Sequence, residues 1–415
     1  MFTNRRRNFL QSLLSLIGGF GLSGFSKTFP TLLHEAMNEE DFWRLVRLQF
    51  PLTTATSYLN TGTVGVSPYA VIEAVKKLMD RHETYGEYAG WETARQSIAT
   101  LLNTQKEEIV LTHNTTEGIN IVAAGLPLKT GDEVIMCSHE HVGNALPWLH
   151  QSALKGFKIK VFSPADTAEE NLNRINELIT QQTRVIALPH VTCTTGLVFP
   201  IAAIVQLAKS KNILTCIDAA QAVGAMPIDL TALGCDFYAA CGHKWLFAPK
   251  GTGFLFVRQT QMDVLKPMFV GSYADIGWEL TPENQRIKGY ATDAHRYDYG
   301  TQNAPLWAGM QAAIHFVTTI GLQKINTHNQ LLADYLQAQL LQKPHVEVLT
   351  PTQPTSKASI ITFKLKNMPY RDWIKKADEH KIRARAVAEA QLDAIRISVH
   401  LYNTQEEIDK LLSLV

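Results

Sequence analysis

The 415-residue sequence predicts an α/β fold, with a mostly parallel sheet between helices and a smaller α+β region after it. Three observations carry this reading. Short apolar runs alternate with stretches of helical period through the middle of the chain. A composition of 46% hydrophobic and 19% charged residues supports a full core and excludes overall disorder. Beyond about residue 300 the alternation gives way to one long helical pattern and a few strand-like runs.

In order along the chain, Arg5-Arg6-Arg7-Asn8-Phe9-Leu10-Gln11 precedes an apolar stretch reaching about Phe25, the shape of an export signal. Arg-Arg-x-Phe-Leu resembles the twin-arginine signal, an address read by the translocation machinery. A basic tail or a short anchor is the competing reading. Gly24-Phe25-Ser26 offers a weak cleavage site, and removing residues 1–26 takes the net charge from +1 to −2. Residues 27–66 read as an N-terminal segment with a helix over 39–50 and a glycine-punctuated loop over 58–68. The large domain is expected over 67–300, starting with a helix over 69–85. Strands are predicted at 108–111, 133–137, 159–162, 185–189, 213–217, 236–241 and 253–257, with helices at 117–125, 168–181 and 201–212. Pro267–Arg296 reads as a long loop. The small domain is expected over 301–415. It has a linking helix over 306–341 broken near Gly321, strands at 359–365 and 394–399, and helices at 370–380 and 404–414.

Thirty-nine basic residues against 38 acidic ones argue against nucleic-acid binding through bulk charge. Five cysteines in a long chain do not make a disulfide framework, and buried free thiols are the expected state. No internal stretch approaches the ~20 apolar residues of a membrane span.

The most informative residues are an acid and a lysine. Asp218 ends the apolar run before Ala219-Ala220-Gln221, and Lys244 follows Cys241-Gly242-His243. In open α/β sheets, ligands sit beyond the carboxyl ends of the strands, and an acid there is costly to bury unless a cation meets it. Singly, such a lysine is ordinarily solvated and such an acid ordinarily a helix cap. Together they suit pyridoxal phosphate, which binds a lysine covalently and places an acid at its ring nitrogen.

With His190-Val191-Thr192-Cys193-Thr194-Thr195-Gly196, Asp218-Ala219-Ala220-Gln221 and Gly242-His243-Lys244 in this order, the chain resembles the class V aminotransferases over roughly residues 40–415. This family includes cysteine desulfurases, kynureninase and isopenicillin N epimerase. The resemblance implies a fold type I pyridoxal-phosphate transferase. Its large domain would hold a mostly parallel seven-stranded sheet between helices, with a smaller α+β C-terminal domain. It also implies a homodimer with active sites at the subunit boundary. Lys244 would form the Schiff base and move the α-proton, Asp218 would pair with the ring nitrogen, Gln221 would bond the phenolic oxygen, and His141 would stack on the ring. Thr115 and Thr116 would bind the phosphate, in keeping with a helix N-terminus at that point. His243 would also reach the phosphate, and Thr301 would reach it from the other subunit. Arg396 would fork the substrate α-carboxylate, with Asn60 also at the substrate. The expected substrate is therefore an amino acid or an amino-acid-derived metabolite. No metal ligands are assigned. Lys250, in Pro249-Lys250-Gly251, reads as a turn residue.

The chain departs from the desulfurase pattern over Arg383–Asp393, which lacks the expected nucleophilic cysteine. Cys193 and Cys241 stand where relatives carry asparagine and a phosphate-binding serine. Tyr58–Gly62, Gly90-Trp91-Glu92 and Thr-x-x-Thr-Gly lean toward the isopenicillin N epimerase-like branch, whose members are often exported. The main expectation is thus a periplasmic aminotransferase or epimerase-like enzyme, or a membrane-tethered one if the signal is retained. A C–S or C–C lyase is the alternative, and a non-catalytic binding protein a remote one.

Overall fold

The computed structural model describes residues 29–34, 36 and 38–415, so the export-signal reading lies outside the described residues. Two helices, α1 (Phe29–His34) and α2 (Glu39–Arg47), belong to a unit of their own. Asn38 caps α2 by accepting the Asp41 N–H at 2.8 Å, with acids in the first turn and Arg44 and Arg47 in the last.

Residues 50–415 form the second unit. It opens with β1 (Ser57–Tyr58), α3 (Tyr69–Tyr85) and α4 (Glu92–Leu101). The chain then alternates through β2 (Ile109–Thr112), α5 (Thr115–Gly125), β3 (Glu133–Cys137), α6 (Val142–Lys155), β4 (Lys158–Phe162) and α7 (Ala168–Leu178). It continues through β5 (Thr183–Pro189), α8 (Ile201–Ser210), β6 (Leu214–Asp218), α9 (Leu230–Leu233), β7 (Phe237–Cys241) and β8 (Gly253–Val257). These strands form one seven-stranded sheet in the order β2-β8-β7-β6-β5-β3-β4. Pairings among β3 to β7 are parallel, and β8 runs antiparallel to both its neighbours. β2 therefore runs with the parallel set. The predicted strands appear at these positions with shifts of a residue or two at their ends. Their continuous apolar character follows from burial on both faces: all five residues of β7 are buried.

This topology decides where the chemistry sits. The chain leaves β2, β3, β5, β6 and β7 at the same sheet edge. In register, Pro189 lies opposite Asp218 and Asp218 opposite Ala239. The segments 113–116, 138–141, 190–196, 219–221 and 242–244 thus emerge side by side.

Two features differ from expectation in this region. α6 is not anticipated, because Pro147 lies inside it and its apolar residues do not keep to one face: Leu146, Leu149 and Leu154 are exposed while Asn144 is buried. Segment 267–296, expected as a loop, contains an exposed antiparallel hairpin of β9 (Trp278–Leu280) and β10 (Gln285–Ile287). Three residues per strand are too few to register as a strand period.

The remainder is α10 (Ala304–Ile320), α11 (Leu322–Leu341), β11 (Val346–Val348), β12 (Ile360–Leu365), α12 (Tyr370–Glu379), β13 (Ile382–Arg383), β14 (Arg385–Val387), β15 (Ala394–Ser398) and α13 (Gln405–Leu412). Gly321 divides the linking helix, as expected. A four-stranded antiparallel sheet, β11-β12-β15-β14, packs its core through Leu336, Phe363, Trp373 and Ile397. β1 pairs parallel with β13, and Ser398 N donates to Leu59 O at 2.8 Å. The segment around residue 60 is thereby laid against the end of β15. Among the described residues, no helix is long and apolar enough to cross a membrane.

Candidate active site

A cavity of about 200 Å³ opens where the five sheet-edge segments meet the end of β15. Asp218, Gln221, Lys244, His243, His141, Thr115, Thr116 and Arg396 all line it, together with Cys241. The fold thus brings together eight of the ten residues the sequence singled out.

Asp218 is buried at the end of β6, with Oδ1 accepting the Ala220 N–H at 2.9 Å. Burial pushes its carboxyl pKa up, while that N–H and the Lys244 charge pull it down. It is poised to hold a cation. Lys244 follows β7 in a tight turn and is itself only 9% exposed. Gly65 makes the turn possible: a Cβ there would lie 1.9 Å from Lys244 O, so only glycine allows the approach.

His141 caps α6, its Nδ1 accepting the Gly143 N–H at 3.0 Å. Burial, then the charges of Lys244 and Arg385, pulls its pKa down to about 4, so the ring is neutral and its proton sits on Nε2. On α5, Asn114 accepts the Glu117 N–H at 3.0 Å, which leaves Thr115 and Thr116 at the helix start facing the cavity. Gln221 is held on both sides: Nε2 donates to Gly62 O at 2.9 Å, and Oε1 accepts the Trp245 indole N–H at 2.7 Å. That fixes its face toward the cavity and leaves one amide hydrogen free of these bonds.

Arg396 is 1% exposed. Its Nη1 donates to Cys193 O at 2.8 Å and its Nη2 to Thr63 Oγ1 at 2.8 Å, with Asn60 Oδ1 at 3.4 Å. Burial, then the Arg385 charge, pulls the guanidinium pKa down, so an arriving anion is strongly favoured.

Two of the ten are placed elsewhere. Asn60 does not line the cavity and acts instead as an acceptor for Arg396 and for Thr63 Oγ1, at 2.8 Å from the latter. Thr301 is exposed and outside the cavity of this single chain. Three residues escaped the sequence reading. Thr63 braces Arg396. Arg385 lines the cavity directly opposite Arg396 in the β14–β15 register and pairs with Glu389. Glu140 lies buried behind the site, accepting from Asn144 Nδ2 at 2.8 Å, its pKa raised to about 8 by burial and secondarily by Asp218. Arg385 carries no signal in the sequence, because only its pairing with β15 brings it to the cavity.

The polar atoms here fit an anionic cofactor. Thr115 Oγ1 and His243 Nδ1 are buried without a hydrogen-bond partner, as are Nε of Arg396 and Nη1 of Arg385, two further residues of the cavity lining. Orphaned donors at a helix N-terminus suit a phosphate, and those on the arginines suit a carboxylate.

Residues 72–411 match the class-V aminotransferase family. The chain belongs to that family. Pyridoxal phosphate is its cofactor, and the chain is a class V enzyme dependent on it. A cysteine desulfurase of Yersinia pseudotuberculosis is 31% identical over 399 residues, covering 89% of this chain and 96% of that one. A probable cysteine desulfurase of Methanothermobacter thermautotrophicus is 28% identical over 389 residues, covering 88% and 95%. Among solved structures, a cystine C–S lyase in complex with its reaction product cysteine persulfide superposes with a TM-score of 0.81 at 26% identity, covering 88% of this chain and 98% of that chain. A cysteine desulfurase of Escherichia coli gives 0.80 at 26% identity, covering 90% and 97%.

Proposed function

We propose that this enzyme is a C–S lyase acting on cystine or another S-substituted cysteine. One observation carries the reading: none of the five cysteines is an activated nucleophile. All are free and buried, and burial raises the thiol pKa of every one, Cys235 to about 12. A desulfurase needs a thiolate to take sulfur from the substrate. A lyase does not, because sulfur leaves on the departing fragment. The similar cystine C–S lyase supports this alternative over the aminotransferase or epimerase-like expectation, and the cysteine desulfurase relatives favour chemistry at a cysteine sulfur over transamination.

Pyridoxal phosphate supplies an electron sink for the bonds at the substrate α-carbon. The chain's own residues do the rest. Arg396 would bind the α-carboxylate with its free edge, held rigid by Cys193 O and Thr63. Lys244 would take the α-proton on Nζ. Asp218, buried at the end of β6, would hold a proton at the ring nitrogen, and neutral His141 would pack on the ring without adding charge. Thr115, Thr116 and His243 would hold the phosphate. In the net reaction the Cβ–S bond breaks, sulfur departs with the electron pair and takes up a proton, and one water hydrolyses the three-carbon fragment to pyruvate and ammonium.

The assay is product analysis with L-cystine. Pyruvate, ammonium and a persulfide in equal amounts support the lyase. Alanine with sulfur left on the protein supports a desulfurase and rejects the proposal.

Two further readings belong with it. A homodimer, with Thr301 serving the partner copy's cavity, is supported by the exposed apolar side chains Phe269, Ile276, Trp278 and Leu280 in the segment leading to Thr301. Sedimentation equilibrium tests it. Export to the periplasm rests on Arg6-Arg7-Asn8-Phe9-Leu10 and the apolar run that follows it, and fractionation of cells with Arg6 and Arg7 replaced by lysine tests that.

A further inference from the structure

The turn that carries Lys244 is strained and held from several sides. Phe247 sits in the left-handed region with φ of 62°. On one side, Gly65 N donates to His243 O at 2.7 Å. On another, the Trp245 indole is tied to Gln221. The third hold comes from beyond β15. His400, four residues past Arg396, is fully buried, and its Nε2 lies 2.9 Å from Trp245 O.

The other ring nitrogen fixes the tautomer. Nδ1 accepts the Leu401 backbone N–H at 2.8 Å, and the Asn329 side-chain amide lies 3.1 Å from the same atom. A backbone N–H only donates, so Nδ1 carries no proton and the proton is on Nε2. The Nε2–H therefore donates to the Trp245 carbonyl. The His400 ring also lies on the Phe247 ring, with centroids 4.3 Å apart, so it packs on the strained residue and bonds the turn at once. Burial keeps the ring neutral, pulling its pKa down to about 3.

We propose that His400 is a positioning residue for Lys244. Its Nε2–H, bonded to the Trp245 carbonyl, fixes the turn that aims the lysine into the cavity and ties that turn to the chain that carries Arg396. The two groups that meet the substrate, the α-carboxylate fork and the proton carrier, are thereby set at a fixed separation. The proposal rests on Lys244 being the cofactor-binding lysine.

The test compares His400→Phe, which keeps a ring of similar volume without the donor, with His400→Gln, which returns an amide N–H to the place of Nε2. His400→Phe is expected to lower kcat roughly 10- to 100-fold, the scale that an ångström of misplacement costs. KM should stay within about twofold, and the visible absorbance of the holoenzyme should change. His400→Gln should recover most of both. Equal behaviour of the two variants, or wild-type kcat and spectrum in His400→Phe, overturns the role. If His400→Phe does not fold, His400→Asn against His400→Gln serves instead, since asparagine places its N–H at the wrong nitrogen; equal kcat and spectra there would overturn it too. Lys244→Ala is the control: visible lysine-bound absorbance surviving in that variant means the lysine assignment itself has failed. Absorbance lost in Lys244→Ala but untouched in His400→Phe refutes only the His400 role.

Discussion

Replacing Arg396 by alanine tests how the substrate is held. The guanidinium arrives at the cavity already desolvated and already anchored, through Cys193 O at 2.8 Å and Thr63 Oγ1 at 2.8 Å. Little ordering remains to be done when a carboxylate binds. A hydrogen bond to a charged group contributes ~1.5–3 kcal/mol, so a two-pronged fork is worth about 3–6 kcal/mol. At ~1.4 kcal/mol per factor of ten, Arg396→Ala should lower kcat/KM on the order of 10²- to 10⁴-fold. The variant also leaves Cys193 O without a donor, which costs about 1–3 kcal/mol of stability, so the melting temperature must be followed in parallel. The discriminating assay measures kcat/KM for the amino acid and for its α-carboxamide. The wild type should prefer the acid strongly, and Arg396→Ala should erase that preference. Arg396→Lys keeps the charge without the fork and should fall between. If the acid and the amide lose activity equally in Arg396→Ala, the arginine does not read the carboxylate.

Other expectations are as direct. Lys244→Ala should fold and keep the phosphate-binding residues in place, yet lose visible lysine-bound absorbance and at least 10³-fold in turnover by order of magnitude; unchanged absorbance would point to another lysine. Gly65→Ala should displace the Lys244 turn, because the new Cβ would meet Lys244 O at 1.9 Å, and weakened cofactor retention on dialysis would show it. His295 bonds Asp298 and Glu92, and these partners raise its pKa to about 9. Its contribution to stability should be complete below the unfolded pKa of ~6.5 and be lost as pH rises through about 9. Urea midpoints of wild type and His295→Gln should therefore differ at pH 6 and converge near pH 10; a constant difference across that range would contradict the assignment.

Much of the fold was legible because parallel strands buried on both faces read as unbroken apolar runs. β6 and β7 stand out for that reason, and Asp218, which ends β6, and Lys244, which follows β7, are conspicuous as the charges there. The phosphate helix was legible from Thr115 and Thr116 opening a helical period. What stayed hidden depends on partners distant in sequence. β13 and β14 are fragments of two and three residues, and their strand character comes from pairing with β1 and β15. Arg385 therefore gave no sign that it faces the cavity. Thr63 reads as a loop residue until β15 brings Arg396 to it. His400 reads as an ordinary residue after a strand, and only the approach of the Trp245 carbonyl gives it a partner.

The most direct test of the central claim is a turnover measurement with L-cystine on holoenzyme in which all five cysteines have been replaced by serine or alanine. A lyase that keeps no sulfur on the protein should still release pyruvate, ammonium and persulfide at a rate within a fewfold of wild type. Loss of turnover in a variant that stays folded and retains its cofactor, or alanine as the wild-type product, would contradict the account.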